Sequence, residues 1–417
     1  MRVMRVKTRN GTTYYYNWTT NEIELDDCEE VALNKQITIN SAKRFHGFPR
    51  LDTYVLEITN KCNLRCAYCC YSGEYRNTRS HGNLSMTVST IDKILEFIRL
   101  SNSQPSIWLG FYGGECLLEY DLIKYCVAQA KHIFDKELHF FLSTNGVLLD
   151  GERIDWFVGN GFLLNISLDG PQSYNDTNRR DASGTGSFDS VHKHLKYIKN
   201  HYPDYFESNV NILMTLPKMD DLSSIAKEWH EDELLRIKAP AHISNLAPNY
   251  RKGVERVDEK KVMAQLYGIL DEFIVHPEYE VLRAFLNERI NDWLERAVYE
   301  LPEYNQLATC MPNNKKLFID VFGKIGVCEK MCDIYRIGDI TNGIDWAAAN
   351  DYVEMLVEKR KGRCEDCPII RMCDMCLTSL DLSKEELDVF CHNQRVYTKA
   401  FLLLFCEMAE LGLIDKK

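Results

Sequence analysis

The sequence predicts an α/β fold built from successive strand–helix units, with a short β segment before them and a cysteine-rich region after them. Apolar runs of strand length alternate with helical patterns over residues 49–246. This alternation is typical of parallel strands joined by right-handed crossovers. A second field of cysteines then begins at Cys310.

Two predicted helices of this core each carry one apolar face. Their apolar side chains recur at helical spacing, which places them on the side that packs against a sheet. These residues are Ile91, Ile94, Leu95 and Ile98 in the first helix, and Phe188, Val191, Leu195 and Ile198 in the second. We expect further strands at Val210–Leu216 and at Ile237–Ser244, which gives six strand–helix units in all.

The first residues of the chain predict a small sheet of short strands. Residues 3–26 contain three β-prone runs, separated by Asn10-Gly11 and by Thr20-Asn21. Asn-Gly between such runs is a strong hairpin signal. We therefore assign residues 1–48 to an N-terminal β segment that caps the core.

The stretch from Cys62 to Cys69 is the most informative part of the chain. Its three thiols, Cys62, Cys66 and Cys69, are spaced C-x3-C-x2-C directly after an apolar strand, Tyr54–Thr59. Three cysteines on one loop can hold three irons of a cubane cluster and leave the fourth iron open. A small molecule can chelate an open iron, whereas four cysteine ligands favour electron transfer alone.

Two other uses of these cysteines are less favoured. Structural zinc sites recruit four N or S ligands, commonly with C-x2-C pairs, and no histidine lies close to this loop in the sequence. Disulfide frameworks are typical of small secreted domains, whereas this chain has 417 residues and begins MRVMRVKTRNG without an apolar signal segment. No apolar run approaches the length of a membrane span. We expect a cytoplasmic protein whose cysteines bind metal.

The C-x3-C-x2-C motif, with Tyr68 just before its third cysteine, resembles the cluster motif of radical S-adenosylmethionine (SAM) enzymes. The resemblance implies that SAM binds the open iron and is cleaved reductively to a 5′-deoxyadenosyl radical. It also implies that the six strand–helix units form a partial (β/α)6 TIM barrel. Active sites of such barrels lie at the carboxyl ends of the strands.

A second motif of this resemblance is Gly113-Gly114-Glu115, at the end of the run from Ile107. Glycines permit a close backbone approach that a β-carbon would block. In radical SAM enzymes this motif holds the amino group of SAM, so the resemblance gives that role to the three residues. An ordinary strand-to-helix turn is the alternative.

Two later strands of the predicted barrel also end in small polar residues. In the family such strand ends face the ribose and the methionyl carboxylate, which implies SAM contacts for Ser143, Asn145, Ser167 and Asp169. An arginine after the second of these strands binds the SAM carboxylate in relatives. Arg179 and Arg180 both fit that place, and we assign Arg179.

The distal cysteines contain the tight quartet C-x2-C-x5-C-x2-C. Taken alone, the quartet is also compatible with zinc. The larger pattern resembles the SPASM extension of radical SAM enzymes, which implies two auxiliary [4Fe-4S] clusters in addition to the first. By motif order, one cluster is held by Cys364, Cys367, Cys373 and Cys391, and the other by Cys310, Cys328 and Cys376. Phe318–Val327, with Gly323 at its centre, is the expected hairpin between the early ligands.

The chain departs from the SPASM pattern near the early ligands. In the best-known members a further cysteine follows the first by about six positions, and Lys316 occupies that place here. Cys332 is the predicted fourth ligand, and an open iron is the alternative. The last spacing of the quartet is also one residue shorter than usual. The remaining cysteines, Cys28, Cys70, Cys116, Cys126 and Cys406, are expected to be structural.

The chain is accordingly divided into five regions. They are the β segment 1–48, the barrel 49–246, a charged helical connector 247–308, the SPASM domain 309–400 and a C-terminal helix 401–417. Several radical SAM–SPASM peptide maturases begin with a leader-binding domain. A truncated element of that kind is therefore the alternative for the first region.

The predicted function is oxidative modification of a ribosomally made peptide, by a thioether or carbon–carbon crosslink. Formylglycine formation by an anaerobic sulfatase maturase is the first alternative, and a non-catalytic metal-binding scaffold is the second. The resemblance implies an electron-donor protein such as flavodoxin or ferredoxin and a precursor peptide as partners. The net charge of −11 argues against nucleic acid, which needs a basic surface.

Overall fold

The computed structural model describes residues 3–25, 38–39, 46–47, 50–72, 75, 79–216, 218–245, 253–300, 303–304, 310–312, 315–331 and 335–414. Its centre is a ten-stranded sheet with the order β10-β9-β8-β7-β6-β5-β12-β13-β14-β15. The strands are β1 Val3–Lys7, β2 Thr13–Asn17, β3 Glu22–Glu24, β4 Thr38–Ile39, β5 Thr53–Thr59, β6 Ser106–Gly113, β7 Glu137–Thr144, β8 Leu163–Ser167, β9 Val210–Leu216, β10 His242–Asn245, β11 Glu303–Tyr304, β12 Lys316–Ile319, β13 Lys324–Gly326, β14 Arg336–Asp339 and β15 Gly343–Ile344.

Helices connect the strands and cover the sheet. They are α1 Val88–Ser101, α2 Tyr120–Ile133, α3 Gly151–Gly159, α4 Gln172–Asn178, α5 Phe188–His201, α6 Pro203–Asn209, α7 Leu222–Glu231, α8 Glu259–Val275, α9 Glu280–Leu294, α10 Trp346–Arg360 and α11 Lys384–Glu410. The apolar faces predicted for α1 and α5 are buried, as expected. Within the described ranges, no helix combines the length and the apolar character that a membrane span requires.

Strands β5 to β10 form the six parallel strands that the sequence predicts. Six of the seven residues of β5 are buried, because this strand has neighbours on both edges and is covered on both faces. In β9 buried and half-buried residues alternate, since successive side chains point to opposite faces of a strand. The prediction of a mixed α/β core with a parallel sheet is confirmed.

The sheet continues from the barrel into the cysteine-rich region. Strand β12 pairs in parallel with β5, with Lys316 opposite Thr53 and Ile319 opposite Leu56. Strands β12 and β13 form the expected hairpin, and Gly323 has a φ of 78° at its turn. The cysteine-rich region is therefore anchored by backbone hydrogen bonds to the strand that precedes the Cys62 loop.

The predicted strand at Ile237–Ser244 is wrong in its first half. Leu235–Ile237 forms a 3-10 turn, and β10 begins only at His242. Pro240 lies between them and lacks the N–H group that a sheet interior requires. At the other end of the chain, α11 runs unbroken from Lys384, so residues 401–410 continue the helix that carries Cys391.

The N-terminal strands β1, β2 and β3 form their own antiparallel sheet. This sheet packs against α9 and α11. Tyr16 contacts Trp293 edge-to-face at 5.0 Å between ring centroids. The backbone N–H of Arg9 donates to Glu407 at 2.5 Å, and Glu407 is 2% exposed.

We predict that Glu407→Ala destabilises the protein more than Asp271→Ala does. Both carboxylates bind Arg9, but Asp271 is 57% exposed, and exposed ion pairs contribute about 1 kcal/mol or less. Removing the buried Glu407 carboxylate leaves the Arg9 N–H of this part-buried contact without its acceptor, which costs about 1–3 kcal/mol. Urea denaturation of both variants measures the difference, and equal losses would contradict it.

Candidate functional site

A cavity of about 280 Å³ lies at the carboxyl ends of the barrel strands. Its lining joins residues from the Cys62 loop, from the ends of β6 to β10 and from the turn after Cys328. The lining residues are Cys62, Leu64, Cys66, Tyr68, Cys69, Cys70, Tyr71, Tyr75, Tyr112, Gly113, Gly114, Ser143, Thr144, Asn145, Ser167, Arg179, Thr215, Ser244 and Lys330. The structure therefore brings most of the predicted SAM-site residues to one place.

The Cys62 loop is held against the segment that follows α4. The backbone N–H of Arg65 donates to Arg180 at 2.7 Å, and that of Ala67 donates to Asn178 at 3.0 Å. Leu64 is buried and forms a bridge with Asp181. These backbone contacts fix the course of the loop, so that Cys62, Cys66 and Cys69 all line the cavity.

The thiols of this loop have surroundings that suit ligation of an anionic cluster. Backbone N–H groups of Leu64 and Tyr71 lie 3.4 Å from the sulfurs of Cys62 and Cys69, respectively. Hydrogen bonds to ligating sulfurs stabilise the thiolate form and tune the potential of a cluster. Burial raises the pKa of Cys62 to about 12 and that of Cys66 to about 11. Binding of a metal at these thiols would therefore release their protons.

In the part of the chain that the structure describes, no group of three or more His, Cys, Asp or Glu side chains is arranged to hold one metal ion. The features that suit a cluster are the N–H donors around the sulfurs and the position of the three thiols in the cavity.

The glycine pair lets the Cys62 loop approach the end of β6. A β-carbon at Gly113 would lie 2.1 Å from the carbonyl oxygen of Thr59, and one at Gly114 would lie 2.1 Å from that of Lys61. Gly113 also has a φ of 151°, which L side chains rarely adopt. The N–H groups of Gly114 and Glu115 donate to the same two carbonyls, at 2.9 and 2.7 Å. This motif is therefore the surface on which the cluster loop rests.

Glu115 lies beneath the cavity and is 1% exposed. Its carboxylate accepts hydrogen bonds from the Thr144 hydroxyl and the Asn145 N–H, each at 2.7 Å, and from the Leu117 N–H at 3.0 Å. Burial raises the pKa of Glu115, while these donors oppose the rise. The carboxylate orders the end of β7 and is not among the groups that line the cavity.

Asp169 is a second buried carboxylate, and it positions two cavity residues. It accepts from the Tyr68 hydroxyl, from Arg179 Nε at 2.9 Å and from the Thr215 N–H at 2.9 Å. Arg179 also lies over the Tyr68 ring, 5.5 Å from its centroid. Arg180 is exposed instead, and its side chain donates to the Asp176 carbonyl. Of the two arginines, Arg179 is the one that faces the cavity.

The remaining predicted SAM contacts line the cavity directly. Ser143 and Ser167 lie at the ends of β7 and β8, and Asn145 donates to the Asn63 side chain at 2.8 Å. Asn145 thereby joins the end of β7 to the cluster loop.

One distal group of cysteines lies beside the hairpin. The thiol of Cys328 interacts electrostatically with those of Cys310 and Cys376, and burial raises its pKa to about 12. Lys316 interacts with Cys310 and Cys328 and pairs with Glu329 at 2.7 Å. Burial disfavours the Glu329 carboxylate, but the charge and hydrogen bond of Lys316, a backbone hydrogen bond and the charge of Lys330 together outweigh burial, so the pKa of Glu329 is lowered. Cys332 and Cys28 lie outside the described residues.

The other distal group surrounds the end of α10. Cys364 interacts electrostatically with Cys367, Cys373 and Cys391. Burial raises the pKa of Cys364 to about 12, and the positive charge of Arg360 opposes the rise. Arg360 is 1% exposed and also acts on Cys373. A buried cation at this place suits an anionic group held by these thiols.

Sequence reasoning missed several residues of the site. Cys70, expected to be structural, lines the cavity together with Tyr71, Tyr112 and Lys330. Arg79 is buried beside Tyr71 and was not singled out. The one signal for Cys70 was its place directly after a predicted ligand. By contrast, Cys116, Cys126 and Cys406 are buried, as expected for structural thiols.

Comparison with known proteins gives consistent relationships. The model of the radical SAM superfamily matches residues 56–227. The cysteine-type anaerobic sulfatase-maturating enzyme of Clostridium perfringens (strain ATCC 13124) is 22% identical over 374 residues, which are 84% of this chain and 95% of that protein. The radical SAM cyclopropyl synthase TigE of Paramaledivibacter caminithermalis is 21% identical over 348 residues, which are 78% of this chain and 68% of that protein.

A solved structure supports the same relationship at the level of fold. Native anSMEcpe with bound AdoMet matches with a TM-score of 0.64 at 18% identity, covering 87% of this chain and 100% of that chain. The strand-end cavity, the Cys62 loop and these matches agree with one another. Residues 56–227 thus form a radical SAM domain, and the chain is similar to anaerobic sulfatase-maturating enzymes over most of its length.

Proposed function

We propose that this chain is a radical SAM maturase that oxidises one residue of a polypeptide by two electrons. The observation that carries the proposal is the composition of the cavity. Its lining combines Cys62, Cys66 and Cys69, the polar strand ends, and Lys330 from the turn after Cys328. The predicted cluster loop and a residue two positions after Cys328 thus border one space.

Different residues of the cavity would bind the first cluster and SAM. Cys62, Cys66 and Cys69 would hold the first [4Fe-4S] cluster, which together with SAM supplies the 5′-deoxyadenosyl radical when an external flavodoxin or ferredoxin donates one electron. Gly113 and Gly114 leave space for the SAM amino group beside the cluster loop. Arg179 offers a fixed positive charge to the SAM carboxylate, and Asp169 orients it.

The distal cysteines would hold two auxiliary [4Fe-4S] clusters. Arg360 supplies positive charge to the group around Cys364, and Lys316 supplies it beside Cys310 and Cys328. Cys332 is proposed as the fourth ligand of the second group. Loss of one hydrogen atom and then of one electron and one proton is a two-electron oxidation of the substrate. The distal thiols would hold the auxiliary cluster that takes up this electron and passes it to an external acceptor protein.

Formylglycine formation is the first candidate reaction. The sulfatase-maturating relative is matched over 95% of its length, and a structure of anSMEcpe contains AdoMet and Cp18Cys peptide. Oxidation of a cysteine side chain by two electrons gives a thioaldehyde, and water then replaces the sulfur, releasing hydrogen sulfide. A serine side chain gives the aldehyde directly. The substrate would be a sulfatase polypeptide, met in the cytoplasm before it folds.

Crosslinking of a short ribosomal peptide is the second candidate. Lys316 stands where the best-known SPASM members have a cysteine, and the relative TigE is a cyclopropyl synthase. The same two-electron balance then forms a thioether or carbon–carbon bond, with no water consumed. A precursor peptide would be the partner in this case.

We predict that Cys66→Ala reduces 5′-deoxyadenosine formation to background while the distal iron is retained. Removing one of three ligands leaves the first cluster without its loop geometry, whereas the distal cysteines are untouched. Chromatography of anaerobic reactions with SAM and dithionite measures the product. Cys126→Ala, at a buried thiol outside the cavity, is the control and should behave as wild type. Equal turnover in both variants would contradict the assignment.

We predict that Asp169→Asn weakens SAM binding about tenfold, which is about 1.4 kcal/mol. The amide keeps the size of the side chain but turns a donor toward Arg179 or Tyr68, and it removes the charge that pairs with Arg179. Equilibrium binding of SAM to the reconstituted protein measures the loss. Asp155→Asn is the matched control, because Asp155 also accepts from tyrosine hydroxyls but on the surface. Unchanged affinity in Asp169→Asn would contradict the positioning role.

We predict that mass spectrometry separates the two candidate reactions. A cysteine peptide derived from a sulfatase should lose its sulfur and become reactive to a hydrazine probe if formylglycine forms. A peptide encoded beside this gene should lose two hydrogens and stay unreactive to the probe if a crosslink forms. SAM cleavage without change in either peptide would count against a polypeptide substrate.

A further inference from the structure

A buried arginine lies between the Cys62 loop and the turn of Cys328. Arg79 is 9% exposed and forms an ion pair with Glu57 of β5, which is 3% exposed. Its guanidinium lies over the ring of Phe318 at 4.3 Å and over that of Tyr71 at 5.0 Å. Aromatic faces on this cation and a carboxylate partner explain how the charge is held in the interior.

The hydrogen bonds of Arg79 join two segments that are distant in the sequence. Nη2 donates to the Tyr71 hydroxyl and to the backbone carbonyl of Glu329, both at 2.6 Å. The Tyr71 hydroxyl also donates to the Glu329 carbonyl, at 3.2 Å. The three groups form a closed triangle, in which Arg79 is the charged member.

Each end of this triangle leads directly to a predicted ligand. On one side, the backbone N–H of Tyr71 lies 3.4 Å from the sulfur of Cys69. On the other side, Glu329 follows Cys328, whose sulfur lies 3.4 Å from the N–H of Lys330. A displacement of Arg79 would therefore shift the N–H groups that lie beside the sulfurs of Cys69 and Cys328.

The ion pair also fixes the hairpin that carries Cys328. The second carboxylate oxygen of Glu57 accepts from the Val321 N–H at 3.3 Å, and Asp320 pairs with Arg336 at 2.7 Å beside it. Val321 belongs to the turn between β12 and β13. The Glu57 carboxylate thus connects Arg79 to the hairpin turn at Val321. The hydrogen bond from Arg79 to the Glu329 carbonyl connects the same arginine to the segment that follows the hairpin.

We propose that Arg79 is a positioning residue that locks the Cys62 loop and the Cys328 turn together and so sets how an electron passes from the substrate radical, formed beside the Cys62 loop, to the auxiliary cluster of the Cys328 group. The inference rests on the proposed function, in which the substrate gives one electron to an auxiliary cluster. Arginine suits this role because its planar guanidinium can bind Glu57, Tyr71 and Glu329 simultaneously. Lysine, a single point charge, cannot reproduce that geometry.

The test compares Arg79→Lys and Arg79→Met with wild type after anaerobic reconstitution. Redox titration followed by electron paramagnetic resonance gives the midpoint potential of each cluster. The ratio of 5′-deoxyadenosine to modified peptide gives the coupling, with the peptide that wild type modifies as the probe. Arg296→Met is the matched control, because Arg296 also donates to a backbone carbonyl, at 2.8 Å from Asn21, and lies over Phe405.

Arg79→Met should lower the potential of the auxiliary cluster, since a positive charge near it is lost. It should also raise the 5′-deoxyadenosine-to-product ratio about tenfold or more, as expected when reacting groups are misplaced. Arg79→Lys should keep a potential close to wild type and still uncouple the reaction. Arg296→Met should change neither quantity, even if it lowers the melting temperature.

Two results would overturn the proposal. One is wild-type potentials and wild-type coupling in both Arg79 variants. The other is an equal effect in Arg296→Met, which would indicate general destabilisation. If Arg79→Met fails to fold, the coupling ratio of Arg79→Lys decides alone. Wild-type protein that lacks distal iron and sulfide would instead refute the proposed function, so the two failures are distinguishable.

Discussion

The site depends on the direct packing of the Cys62 loop against the backbone of Gly113 and Gly114. No β-carbon fits between these segments, and two backbone hydrogen bonds hold them in contact. Glu115, the next residue, is buried and orders the end of β7. The position of the cluster loop and the course of the adjacent strand end are thus fixed by three consecutive residues.

A second constraint connects the barrel to the distal cysteines. Strand β12 pairs with β5, so the hairpin before Cys328 extends the same sheet from which the Cys62 loop emerges. The Cys62 loop and the turn of Cys328, which are far apart in the sequence, therefore both follow strands of one sheet. The buried contacts of Arg79 and Glu57 reinforce this arrangement from the side of the cavity.

Much of this arrangement is predictable from local sequence patterns. The C-x3-C-x2-C spacing, the Gly-Gly-Glu motif and the polar strand ends all identify residues that the structure brings to one cavity or directly beneath it. Spacing and periodicity carry that information because each motif ends its own strand. The roles of Glu115 and Asp169 are harder to predict from the sequence. Burial of these two carboxylates beneath the cavity depends on neighbours that follow later in the chain.

The pairing of β5 with β12 and the burial of Arg79 could not be read from the sequence. Both depend on contacts between residues more than two hundred positions apart, and neither has a local periodic signal. The late start of β10 has a local cause, because Pro240 cannot continue a strand toward Ile237. The apolar pattern around Pro240 nevertheless led to the prediction of a longer strand.

The central claim is that the loop of Cys62, Cys66 and Cys69 holds a cluster whose open iron binds SAM. Electron–nuclear double resonance on the reduced protein, with SAM labelled at its amino nitrogen and its carboxylate, tests that claim most directly. We expect coupling of both labels to the cluster, and loss of that coupling when the three cysteines are replaced by alanine. A reduced cluster that shows no coupling to either label, or a loop that binds zinc without sulfide, would contradict it.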